Sequence, residues 1–207
     1  MQCAWQSEWE PLIEVLRREV KPALGCTEPI AVALAAAHCR RLLRSVPSRL
    51  QVWVSGNLFK NGMGVGVPGT GMNGLPIAAA VGAVAGDADA GLEVLRAIDA
   101  TDVALARELL PNTRIDVKSV AEVLYVEVLA ETDGHQARVV ICTDHTRVVL
   151  MERDGEVLHS QSREPVAQSQ KQAGMSLQTI LQFASQVPLA SIAFLREAAS
   201  LNQALAD

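Results

Sequence analysis

Cys26 stands in the run Gly25-Cys26-Thr27-Glu28-Pro29, which places a thiol at the start of a helix. Unpaired backbone N–H groups and the positive end of the helix dipole favour a thiolate there. A thiolate serves as a nucleophile or as a soft-metal ligand. Cys26 is therefore expected to belong to a site for a metal cluster or a small anionic ligand; the competing reading is a small buried residue at a cap. Cys39 and Cys142 lie in apolar surroundings, and Cys3 reads as an inert terminal residue.

A second chemical feature is the segment from Gly56 to Gly74, which carries seven of the chain's fourteen glycines. Glycines let backbone N–H groups approach a ligand, and a helix start behind them adds affinity for anions. Ser55, Asn57, Lys60, Asn61, Thr70 and Asn73 add hydrogen bonds and one positive charge, suited to a carboxylate. A tight structural crossover is the alternative. Gly64-Val65-Gly66-Val67-Pro68-Gly69 matches the dinucleotide fingerprint, but Pro68 and later glycines separate it from any helix, so the match is fortuitous.

His145, in Asp144-His145-Thr146 between two strands, is a candidate acid–base or substrate-contacting group. Taken alone it equally suits a turn. His38, His135 and His159 have no supporting neighbours in the sequence, and no cysteine–histidine zinc spacing occurs.

The elements that must position these residues follow from periodicity. Apolar groups at Trp9, Leu12, Ile13, Leu16 and Val20 predict a helix over Trp9–Val20. Thr27 is the expected cap of the next, with Ile30 to Leu43 apolar on nearly every side and hence buried. Leu50–Val54 reads as a strand, the glycine segment as a loop, and Ile77–Ala85 as a second alanine-rich helix able to pack closely on the first. Gly91–Ala97 and Thr101–Leu110 are helical, the latter capped by Thr101 or Asp99. Strands follow at 115–117, 120–130, 137–143, 148–152 and 156–160, with turns at Thr132-Asp133-Gly134 and Arg153-Asp154-Gly155. Residues 161–175 are expected as a polar loop, followed by helices from Ser176 and over Leu189–Leu205, separated at Val187-Pro188. Buried Ala/Gly-rich helices packed with an antiparallel meander, then C-terminal helices, define an α+β fold.

Composition narrows the function classes. The 207 residues are 49% hydrophobic and 20% charged, enough for a sizeable core without disulfides. A net charge of −5 argues against nucleic acid as a partner. Arg40, Arg41 and Arg44, the one basic cluster, suit the negative end of a helix. No transmembrane run or signal peptide is evident, so the cysteines are expected reduced and the protein cytoplasmic.

The block Glu19-Val20-Lys21-Pro22-Ala23-Leu24-Gly25-Cys26-Thr27-Glu28-Pro29 resembles the opening motif of L-cysteine desulfidases, relatives of the iron–sulfur serine dehydratases. Asn57-Leu58-Phe59-Lys60-Asn61-Gly62, Pro68-Gly69-Thr70-Gly71 and Gly74-Leu75-Pro76-Ile77-Ala78 are similar to that family's second motif, and His145-Thr146 to its His-Thr pair. The resemblance implies a lyase, independent of pyridoxal phosphate, that degrades L-cysteine to hydrogen sulfide, ammonia and pyruvate, or L-serine to ammonia and pyruvate. It implies a [4Fe–4S] cluster in the complete protein, with Cys26 as one ligand. Thr27, Asn57, Asn61 and Thr70 would hold substrate, and Lys60 or His145 would be the base. Family members are about twice as long, and their remaining cluster cysteines lie in a C-terminal half. Residues 1–207 would then be an N-terminal domain that needs that half, as further chain or separate subunit, with homo-oligomers as a further option. The chain alone would be inactive and would not bind the cluster. The alternative is a non-catalytic module binding a small amino acid or anion. A third is an assembly domain whose apolar helices 30–43 and 77–85 are covered by the missing half.

Overall fold

The computed structural model describes residues 6–163 and 176–206. Cys3 and most of the expected loop 161–175 lie outside the described residues. The chain divides into two compact units, one spanning Ala23–Pro165 and the other Met1–Pro22 with Val166–Asp207.

The larger unit is α+β. Helix α2 (Thr27–Leu43) has Cys26, not Thr27, as its N-cap residue: Cys26 has extended backbone angles and its side chain makes no capping bond. Strand β1 (Arg49–Val54) leads into helix α3 (Gly56–Gly62), which the glycine density had concealed. Ser55 caps α3 by accepting from Leu58 N and donates to Val123 O at 2.6 Å. A short hairpin of β2 (Gly66–Val67) and β3 (Met72–Asn73) then precedes α4 (Leu75–Ala85). Gly91–Ala97 forms only a 3-10 turn over Gly91–Glu93. Helix α5 (Ala100–Leu109) is capped by Asp99, whose carboxylate and that of Asp102 satisfy each other's backbone N–H groups. Strands β4 (Thr113–Val117), β5 (Tyr125–Thr132), β6 (His135–Cys142), β7 (Val148–Arg153) and β8 (Glu156–Ser160) complete the unit. Asp133-Gly134 and Asp154-Gly155 all take positive φ, the geometry of two-residue hairpins matched to strand twist.

The sheet runs β4-β1-β5-β6-β7-β8. It is mixed rather than purely antiparallel, because β1 pairs in parallel with β4. Alternation sends three rows to one face: Leu50, Ala130 and Ala137; Val52, Val128 and Val139; Val54, Val126 and Ile141. All nine are fully buried together with Ile30 through Ala37 of α2 and the apolar residues of α4. The two alanine-rich helices are thus covered by the sheet and by each other, and need no missing half for that purpose. Gly82 shows how closely they meet: a Cβ there would lie 2.3 Å from the carbonyl oxygen of Ala33.

The opposite sheet face holds a buried charge. Glu127 accepts from Lys118 Nζ, from Tyr125 OH at 2.7 Å and from Arg138 Nε at 2.7 Å, while its side chain is 4% exposed. Burial opposes its ionisation, but these three donors hold the carboxyl below its usual range.

The smaller unit contains α1 (Gln6–Glu19), α6 (Leu177–Gln186) and α7 (Leu195–Ala206), with a 3-10 turn at Leu189–Ile192 where a continuous helix was expected. Ser176 caps α6 by accepting from Thr179 N. Its core is Trp9, Ile13, Phe183 and Val187, with the Trp9 and Phe183 rings edge-to-face at 5.6 Å.

Candidate functional site

The two motifs singled out in the sequence converge in the larger unit. Gly25 has φ +80, and a Cβ on it would meet Cγ of Pro68 at 2.6 Å. Only glycine lets the turn before Cys26 lie against the glycine-rich segment in this way. On its other side that turn is tied down by the Leu24 N–H, which donates to Leu92 O at 3.2 Å.

Glu28 is the centre of the resulting cluster. Cys26 Sγ donates to its Oε2 at 2.9 Å, Thr27 Oγ1 makes a longer contact to Oε2 at 3.4 Å, and Asn61 Nδ2 donates to Oε1 at 3.1 Å. Burial would raise the carboxyl, but the bonds from Cys26, its own backbone and Asn61, with the charge that His145 carries in acid, hold it below its ordinary value. Among the described residues no lysine or arginine makes an ion pair with it. Glu28 is thus an ionised carboxylate, partly buried, with hydrogen-bonding capacity left over.

Cys26 departs from the expectation of a ready thiolate. Burial raises its pKa, the hydrogen bond to Glu28 and that residue's charge raise it further, and the backbone N–H groups of Glu28 and Thr27 only partly offset them. Burial and the adjacent carboxylate together outweigh the N–H groups at the helix start, so the thiol stays protonated at neutral pH. His145 sits in the β6–β7 turn, which is ordered by Asp144 accepting from Thr146 N at 2.9 Å and Thr146 Oγ1 at 2.8 Å. Burial lowers its pKa, and the charges of Glu28 and Asp144 oppose that effect. The imidazole is neutral at pH 7 and within electrostatic reach of Glu28.

Cys26, Thr27, Asn61 and His145 are therefore brought together. Thr70 is not available in the same way: it is buried, its Oγ1 reaching Val67 O at 2.7 Å and accepting from Met72 N at 3.0 Å, which closes the β2–β3 turn. Asn57 and Lys60 are exposed on α3, in its first and last turns. Glu28 was missed because an acidic residue in a first helical turn reads as a complement to the dipole. Cys39 and Cys142 are buried elsewhere, Cys39 Sγ facing Val128 O and Ala137 O at 3.5 and 3.6 Å. The other histidines do have partners in the fold: His38 lies 2.9 Å from Arg41, His135 2.9 Å from Asp154, and His159 3.2 Å from Val148 O.

Cys26 is the one thiol here, and among the described residues no three His, Cys, Asp or Glu side chains are placed to hold a metal ion. The described residues of this chain do not by themselves supply the cysteine set that an iron–sulfur cluster takes. No helix among them is long and apolar enough to cross a membrane.

Comparison with known proteins corrects the family expectation. The chain is 62% identical over 208 aligned residues to a UPF0597 protein of Aeromonas hydrophila, covering 99% of this chain and 48% of the relative. It is 61% identical to a UPF0597 protein of Aeromonas salmonicida, with the same coverage. It is 48% identical over 204 residues to one from Oleidesulfovibrio alaskensis, covering 96% of this chain and 47% of the relative. These relatives match across essentially the whole chain under that name, so the assignment to the L-cysteine desulfidase family as its N-terminal half is not upheld. The chain spans about half the length of the curated relatives it matches. No protein-family profile matches it, and no solved structure does.

Proposed function

We propose that this chain carries one wall of a binding site for a small amino acid, with Glu28 receiving the ammonium group. The observation that carries this is the Glu28 carboxylate, oriented by Cys26 and by Asn61 from two separate motifs yet lacking a cationic partner among the described residues. The neighbouring start of α2, where the Cys26 side chain caps no N–H, suits the ligand's carboxylate. The Cys26 sulfur lies beside a ligand held in this way. Keeping that thiol reduced fits a cytoplasmic setting.

Calorimetric titration with L-cysteine and L-serine tests the reading. Heat of binding is expected for the parent, weakened at least about tenfold in Glu28→Gln, since a charge-assisted bond contributes about 1.5–3 kcal/mol. Unchanged affinity in that variant would overturn it.

A second reading, a lyase acting on the same ligands, is favoured by the neutral His145 near Glu28. A neutral imidazole can take the α-proton while the β-substituent leaves as hydrosulfide, or as hydroxide that the resulting imidazolium protonates to water, giving 2-aminoacrylate. Tautomerisation and hydrolysis then give ammonia and pyruvate. In the complete protein, sulfide release lost in His145→Gln, with ligand affinity retained, is the expected outcome; unchanged release would refute the base.

A further inference from the structure

Among the described residues, the smaller unit leaves apolar surface uncovered. Helix α6, Leu177-Gln178-Thr179-Ile180-Leu181-Gln182-Phe183-Ala184-Ser185-Gln186, contains no charged residue. Phe183, with Val187 just beyond the helix, points into the unit's core. Leu177, Leu181 and Ala184 line up at helical spacing beside that buried face and are exposed, Leu177 by 75% and Leu181 by 62%. Ile180 lies between the two sets at 44%, and Leu189, on the next turn, is 82% exposed. The apolar arc of α6 is therefore wider than the unit's own core uses. Among the described residues, four buried side chains serve three helices, a small core for a free-standing unit.

What covers this arc is indicated by length. The Aeromonas relatives align with 99% of this chain using 48% of their own residues, so they hold a comparable length of polypeptide that the 207 residues do not supply. We propose that the Leu177–Leu181–Ala184 stripe, with Leu189, docks the polypeptide corresponding to that remaining half. An uncharged helix with leucines at i and i+4 is the type of surface that packs into an apolar groove. Ligand binding at Glu28 and this contact stand or fall separately.

The test co-expresses the full 207-residue chain with a tagged polypeptide comprising the part of the Aeromonas hydrophila relative that it does not match. Complex formation is followed by affinity capture and light scattering. The parent is expected to form a one-to-one complex. Leu177→Glu/Leu181→Glu should weaken it at least about tenfold, as expected for central apolar anchors. Val157→Glu, an exposed position on β8 of the larger unit, should leave it intact. Should circular dichroism show the double variant unfolded, Leu189→Asp reads the same surface from outside the helix. Absence of a complex, equal affinity in the stripe variants, or a dimer of the chain alone that those variants dissolve, would each overturn the proposal.

Discussion

Replacing Gly25 with alanine probes the joint that brings the two motifs together. The new Cβ would stand 2.6 Å from Cγ of Pro68 and 3.3 Å from its Cδ, at a residue with φ +80. The left-handed backbone costs an L-residue about 1–2 kcal/mol. Forcing a methyl against a packed ring costs about 1–3 kcal/mol more. Restricting the unfolded chain returns about 0.4–1 kcal/mol. The net loss is about 1–5 kcal/mol, and each kcal/mol lowers Tm by about 2–4 °C in a chain of this size. Thermal unfolding measures it directly. The double variant Gly25→Ala/Pro68→Ala separates the two costs, because it removes the contact and keeps the backbone strain, so it should recover part of the loss. A single variant within about 1 °C of the parent would refute the joint, because the smallest net loss, about 1 kcal/mol, corresponds to about 2 °C.

Three other outcomes follow from the geometry. Glu28→Gln removes the charge and acceptor that raise the Cys26 thiol, so the pH profile of its alkylation should move to lower pH, and an unmoved profile refutes the pairing. His38 is buried and lies beside the Arg41 guanidinium, and burial, then that charge, push its pKa down to about 4. A depressed folded pKa means stability present above the unfolded value and lost as pH falls through the folded one. Unfolding free energy should drop by about 3 kcal/mol between about pH 6.5 and 4, and His38→Gln should flatten that slope in urea titrations. Glu127→Ala strands Tyr125 OH, Lys118 and Arg138, and should cost about 2–4 kcal/mol, below the fully buried range because both cations are partly solvated. The carboxylate's own contribution is present above its unfolded pKa and fades as acid protonates it, so the variant's deficit should shrink at low pH.

Much of this architecture could be read from residue order. The alternation of Leu50, Val52 and Val54 and the turns at Asp133-Gly134 and Asp154-Gly155 announce the strands, because period and positive-φ chemistry are local properties. Helix α3 was hidden because Gly56 and Gly62 bracket it, and its stability comes from the Ser55 cap and burial of Leu58 rather than from propensity. The parallel pairing of β1 with β4 has no local signal. At the site, Cys26, Asn61 and His145 were nameable from type and context. Their dependence on Glu28 was not, since the Asn61–Glu28 bond joins positions far apart in sequence. Thr70 carried the right chemistry, but its hydroxyl is consumed by the turn it closes.

The place of β1 in the sheet also sets the order in which the unit can assemble. Strands β5 to β8 follow one another through tight turns, so their pairing closes only short loops. Val52 of β1, in contrast, must find Ile115 on one side and Val128 on the other, after the intervening helices have been gathered. Closing such long loops is the slow, entropically opposed step. The meander is therefore expected to form early and β1 to join it late, so that the contact of Gly25 with the glycine-rich segment just downstream of β1 would form with that last strand.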